Sequence, residues 1–203
     1  MAWWNSVLNT RSAPASRSEL SNAYSKLARM LGSERLEFAR QEVASENAAM
    51  FLAFQGRPLH EFGRAVLILF ALNRLPAEEH LEFIDELFIR GDCREQEALL
   101  RALSLLPNPG RFLATAVEAC RANIQTVFEA IACENPYPSS YFPESNFSQL
   151  VLKAIFTGVA LRRIVGLSDR VTPALKSMVR DHVKEWTAAG RAVHKDIALL
   201  INP

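Results

Sequence analysis

Cys133–Lys153, CENPYPSSYFPESNFSQLVLK, interrupts a chain that otherwise reads as one helix after another. Pro136, Pro138 and Pro143 each lack the backbone donor and clash with the preceding turn, so no helix is expected across them. Tyr137, Tyr141 and Phe142 stand where a plain connector would carry Gly, Ser or Asp. A loop that is stiffened by proline and rich in rings is expected to dock against something.

On the C-terminal side of this loop the periodicity predicts a seventh helix from about Ser145 to Val165. Thr172 then caps an eighth with Pro173 at its first position, its apolar face running from Leu175 through Val179, Val183, Trp186, Val193 and Ile197 to Leu200. On the N-terminal side lies a sixth helix. Leu113, Val117, Cys120, Ile124, Val127 and Ile131 recur at three and four, with Arg111, Thr115, Glu118, Ala122, Gln125 and Glu129 opposite. Further back, a first helix spans Ser18–Leu31 and ends at Gly32. Ser33 is placed to cap a second helix reaching Gln55, with Glu34 and Glu37 in its first turn. A third spans Leu59–Asn73, a fourth begins at Pro76 and stops at Gly91, and a fifth covers Cys93–Leu106. Residues 1–17 read as a flexible arm whose Trp3 and Trp4 could fold back, and residues 18–203 as a single helical domain. No segment alternates long enough for a strand. The chain is expected to be all-α, with about eight helices in antiparallel hairpins, arranged as a HEAT-like α-solenoid or a compact helical bundle.

A chain of 203 residues with 49% hydrophobic and 22% charged residues can bury a full core. Its net charge of +1 gives no global pull toward nucleic acid or anionic lipid. Charge is uneven, with 13 acidic against 8 basic residues from Glu34 to Arg101, and 8 basic against 3 acidic from Arg162 to Lys195. Two solvated faces of opposite sign account for that better than a dedicated basic surface does. Cys93, Cys120 and Cys133 are odd in number and widely spaced, which favours a reducing compartment and small buried thiols over a disulfide framework. The start of the sequence has no basic-then-apolar pattern, and the longest apolar run, Ala65–Leu72, is well short of the ~20 residues of a spanning helix. A cytoplasmic location is expected.

Leu150–Leu161, LVLKAIFTGVAL, is apolar almost all round and should sit centrally. Asn146, Gln149, Lys153 and Thr157, at spacings of three, four and four, form one polar stripe along it. The stripe either faces water or lines a pocket roofed by Tyr137–Phe142. In the second case Lys153 needs a carboxylate or loop carbonyls, and Glu134 and Glu144 are the nearest acids in sequence. Ala188, Ala189 and Gly190 suit close approach of another helix or of the loop. Arg191 and His194, three apart, share a helix face on which an anion could rest, although a solvated His beside an Arg is the commoner case. Glycine-rich phosphate loops, nucleophile elbows and zinc motifs are all missing, and His60, His80, His182 and His194 have no metal-ligand spacing. No cofactor or metal is expected.

Several strings point to a known family: Glu134-Asn-Pro-Tyr-Pro138, Tyr141-Phe-Pro-Glu144, Phe147 with Gln149, Val151-Leu-Lys-Ala154, Gly166-Leu167 with Arg170, Asp181, and Ala188-Ala-Gly-Arg191. The segment from about Glu95 to Arg191 resembles the EboA family of small soluble bacterial proteins, encoded in gene clusters for a secondary metabolite. The resemblance implies a role in making or trafficking a small metabolite beside prenyltransferase-like, sugar-isomerase-like and hydrolase-like neighbours, with no established enzymatic activity. Three functions follow as expectations. The first is a non-catalytic binding or scaffold protein that presents Glu134, Asn135, Tyr137, Tyr141, Phe142, Asn146, Gln149, Lys153 and Arg191 to a small ligand or to proteins of the same cluster. The second is an enzyme using Lys153, a loop tyrosine and a loop glutamate as acid–base groups. The third is a structural adaptor docking through the acidic face around Glu82 and Asp85.

Overall fold

A computed structural model of the protein describes residues 16–32, 34–37 and 53–201. Among these residues the fold is all-helical and compact, without a strand. Helix α1 is Arg17–Leu31, α2 Leu59–Leu72, α3 His80–Arg90, α4 Cys93–Ala102 and α5 Leu113–Arg121. They are followed by α6 Gln125–Ala132, α7 Tyr137–Tyr141, α8 Glu144–Thr157, α9 Pro173–Ala188 and the last turn α10 Ala198–Ile201. Helices α1, α2, α4 and α6 pack side by side in succession, while α3 pairs with α4, and α5 with α6. The expected arm up to residue 15, with Trp3 and Trp4, and most of the second predicted helix lie outside the described residues. No described helix is long and apolar enough to cross a membrane.

Most ends are set by local chemistry. Ser16 closes a capping box with Glu19 ahead of α1, and Asp92 closes one with Glu95 ahead of α4. Gly91 and Thr172 end α3 and start α9 as expected. Helix α1 contributes Leu20, Tyr24 and Leu27 to the core and α2 contributes Leu67, Ile68 and Ala71, and the core continues through Leu99, Leu103, Phe112, Phe128 and Val151 to Leu175 and Val179. Removing any one of these large side chains should cost about 2–5 kcal/mol.

Five predicted elements are revised. Glu34–Leu36 is not the first turn of a helix: the Leu36 amide donates to the Arg57 carbonyl at 2.7 Å, and Arg35 forms an isolated antiparallel bridge with Pro58. The sixth predicted helix is two helices. The chain turns at 122–124 so that α5 and α6 pack against each other, which a straight rod cannot do. The phase of the buried face resets there, with Thr115, Ala116 and Ala119 buried and Ile124 47% exposed. The proline-rich loop contains a short helix, because Pro136 and Pro138 fall at the N-cap and first turn of α7 and Pro143 caps α8, positions whose amides need no intrahelical partner. Helix α8 stops at Thr157, since Gly158 takes a left-handed conformation (φ 76°) and returns its amide to the Ala154 and Ile155 carbonyls. Helix α9 stops at Ala188. Ala188, Ala189 and Gly190 (φ 67°) are exposed, so the small-residue patch is a terminus rather than a helix contact.

A feature without a period-based signal is the charge buried between α2 and α4. Arg64, 2% exposed, lies 3.6 Å from Glu95, with Nε donating to the Tyr24 carbonyl at 3.3 Å. Arg101 Nε lies 3.4 Å from Glu61. Burial pulls the Arg101 guanidinium down and pushes the Glu61 carboxyl up, each opposed by its partner's charge. The Cys120 thiol is likewise pushed by burial to about 12, opposed by the charge of Lys153.

His60 carries the clearest pH signature of this layer. Burial first, and then the charges of Arg64 and Arg94, hold its imidazole below the ordinary 6.5. The unfolded chain therefore takes up a proton that the folded chain refuses. The contribution is intact above the unfolded value and is lost as pH falls below 6.5, by at most about 1.4 kcal/mol per pH unit. His60→Gln should flatten this part of the decline in urea denaturation between about pH 7.5 and about pH 5.5. Parallel declines in both proteins would mean that folded His60 protonates freely.

Candidate functional site

The residues singled out around the Pro/Tyr-rich segment separate into two groups. The first holds the segment to the protein itself. Asn135 is 1% exposed, and its Nδ2 donates to the carbonyls of Leu100 and Ala130, both at 3.0 Å, while its Oδ1 accepts from the Tyr137 amide at 3.0 Å. One side chain thus ties α4, α6 and the start of α7. Tyr137 is fully buried, donates to the Pro109 carbonyl at 2.7 Å, packs at a tilt on Tyr141 with ring centroids 4.8 Å apart and meets Phe142 edge-on at 6.2 Å. Burial, and then Tyr141, push its hydroxyl well above the usual phenol range.

Glu134 adopts a left-handed backbone (φ 49°), unusual for a residue with a Cβ. Its amide donates to the Arg163 carbonyl at 2.9 Å, and its carboxylate accepts a two-point fork from Arg163 Nε and Nη2 at 2.7 and 2.9 Å. Arg163 also donates to Glu129. Burial pushes the Glu129 carboxyl up, but the hydrogen bonds from Arg163 and Gln125 outweigh it and leave it below its ordinary value. Arg170 donates to the Ser139 and Phe142 carbonyls and stands 4.7 Å over the Phe147 ring. Gly166 lies so close to Ser139 that a Cβ would meet it at 2.8 Å. The surface on which the sticky loop docks is the protein's own 158–170 connection.

The second group opens outward. Phe142, Asn146, Gln149 and Lys153 line a cleft of about 350 Å³, closed on the far side by Val117, Cys120 and Arg121 of α5. Lys153 fixes its geometry. Its Nζ donates to the carbonyls of Cys120 (2.5 Å) and Ala122 (2.7 Å) and lies 4.8 Å from the Phe128 ring centre. Those carbonyls are left over where α5 ends, so the ammonium caps a helix C-terminus from a neighbouring helix. The partners are carbonyls, as expected of a half-buried lysine, but they belong to the 120–122 turn and not to the Tyr137–Phe142 loop. Burial lowers the Lys153 ammonium below the ordinary lysine value, opposed by Cys120. Among the described residues no carboxylate pairs with Lys153, and no acidic residue lines the cleft.

Lys153 and Thr157 also border a second cleft of about 520 Å³ on the other side of the lysine. Tyr141 is 37% exposed and packs beside Gly110, while Glu134, Asn135 and Tyr137 line neither cleft. Arg191 is exposed beyond α9 and also lines neither. His194 is not on a shared helix face with it: its Nδ1 accepts from the Asp196 amide at 3.1 Å. Sequence reasoning missed Arg163, Arg170 and the α5 wall. Only Arg170 had a signal, as part of the family strings; a wall made by the turn at 122–124 has none in a periodic pattern.

A family description, metabolite traffic protein EboA, matches residues 1–202. The chain belongs to the EboA family. The match runs well beyond the Glu95–Arg191 segment that carries the resemblance and takes in the buried-charge layer of α2 and α4 as well. Nothing among curated proteins or solved structures matches the chain. Both the Glu134–Pro138 string and the Lys153 cleft of this EboA family member therefore rest on their own geometry.

Asn135 gives a sharp test of the clamp. Asn135→Asp would turn a buried donor into a carboxylate facing two carbonyls, and the folded state should lose at least about 3 kcal/mol in chemical denaturation. A loss below about 1 kcal/mol would show that α7 does not depend on this amide.

Proposed function

We propose that this protein is a non-catalytic accessory in the biosynthesis or trafficking of a bacterial secondary metabolite, acting in the cytoplasm. It holds a small ligand, or the segment of a cluster protein, in the cleft of Phe142, Asn146, Gln149 and Lys153. The observation that carries this reading is the state of Lys153: a half-buried cation with two backbone carbonyls and no carboxylate among the described residues. An ammonium has three donors, so one remains for an incoming oxygen, and an anion there would supply the counter-charge that none of the described carboxylates provides. Asn146 and Gln149 add amide donors and acceptors, and Phe142 an apolar wall. The family description, metabolite traffic, supports the same direction.

In this reading Glu134, Asn135 and Tyr137 act as positioning residues. Their polar groups are bonded to Arg163, to the Leu100 and Ala130 carbonyls, and to the Pro109 carbonyl. Tyr141, at the exposed edge, is the loop residue best placed to touch a partner protein.

Native mass spectrometry of the protein taken gently from its own host tests this. A retained small molecule or a co-purified cluster protein is expected, and the Asn146→Ala/Gln149→Ala double variant should lose it while keeping the wild-type melting temperature. Retention unchanged in that variant and in Lys153→Gln would rule the cleft out.

A further inference from the structure

The second cleft lies between the start of α6, the end of α8 and the middle of α9. Phe128, Leu152 and Phe156 form its apolar wall, with Lys153, Thr157 and His182 at its polar edge. Phe156 is 63% exposed, which leaves a large ring in water at the mouth of a cavity. That ring is held in place: it meets Trp186 edge-on at 6.1 Å, and Trp186 in turn stacks on His182 at 4.7 Å. The arrangement is a preformed aromatic wall, two rings deep, backed by α9.

Two polar observations go with it. His182 lines the cleft with its imidazole, whose Nε2 is buried and has no hydrogen-bond partner among the described residues. Among the described residues no carboxylate pairs with Lys153 and no acidic residue lines the cleft, so Lys153 brings it a positive charge. The volume of about 520 Å³ lies within the range of small-molecule sites, and its mix of apolar wall and few polar groups is typical of them. We infer that this cleft binds a flat aromatic monoanion, its ring laid on Phe156 and Phe128 beside the His182 imidazole and its acidic oxygens turned to Lys153. The site goes beyond the Asn146 cleft and shares only Lys153 with it, whose one remaining donor serves an anion in one cleft or the other, not in both at once.

The anionic dye 8-anilinonaphthalene-1-sulfonate is a suitable probe, and Trp186 is the reporter in a full-length chain carrying Trp3→Phe and Trp4→Phe. Saturable quenching of Trp186 with one dye per chain is expected. Phe156→Ala and His182→Ala should each weaken dye binding at least tenfold, and Phe156→Ala should do so with the melting temperature unchanged, since that ring is exposed. The uncharged N-phenyl-1-naphthylamine should bind at least tenfold more weakly than the sulfonate.

Equal binding of the two dyes would overturn the anionic assignment, and dye binding untouched by Phe156→Ala and His182→Ala would overturn the site. Dye binding lost only in Asn146→Ala/Gln149→Ala would also overturn it, while leaving the proposed function standing. If a host protein is captured through Phe156 and the dye does not quench Trp186, the face is a protein interface and the small-anion assignment falls.

Discussion

The end of α5 imposes the constraint on which the C-terminal half depends. A helix that stops at Arg121 leaves carbonyls without intrahelical donors at the turn into α6. Lys153 answers that need from α8 with two hydrogen bonds. In doing so it allows the chain to reverse between α5 and α6, separates two clefts, and leaves a positive charge on the wall of each. Fold and candidate site therefore rest on the same ammonium group.

Around that point the C-terminal half is assembled by arginines reaching across connections. Arg163 clasps Glu134 and Glu129, and Arg170 gathers the Ser139 and Phe142 carbonyls. Each is delivered by an irregular stretch between α8 and α9, and that stretch exists because Gly158 ends α8 early. Charge-assisted bonds of this kind are stronger than neutral ones, which suits a short helix such as α7 that has little core of its own.

The parts legible in the sequence are those with a local cause. Capping at Thr172, the stop at Gly91 and the buried run of α2 follow from residue type and period. So does the all-helical class. The polar stripe on α8 was legible as a stripe, and its Asn146, Gln149 and Lys153 do meet in one cleft. What remained hidden depends on distant partners. A turn at Ala122-Asn123 carries no Pro or Gly and is stabilised by a lysine 31 positions away. Prolines read as helix breakers are instead helix starters at α7 and α8, and only the register decides between the two. His182 and Trp186 gain meaning only when α9 is laid beside Phe156.

The charges between α2 and α4 have a consequence for which arrangements of the chain are permitted. Leucine and alanine contacts alone would tolerate α4 slipping along α2 by one helical turn, about 5.4 Å, because one apolar residue can replace another. Glu61 and Arg64 on one helix face Arg101 and Glu95 on the other, so a slip would leave at least one buried charge unanswered. The seam works like a key with two teeth: it adds little to adhesion, but it admits a single alignment.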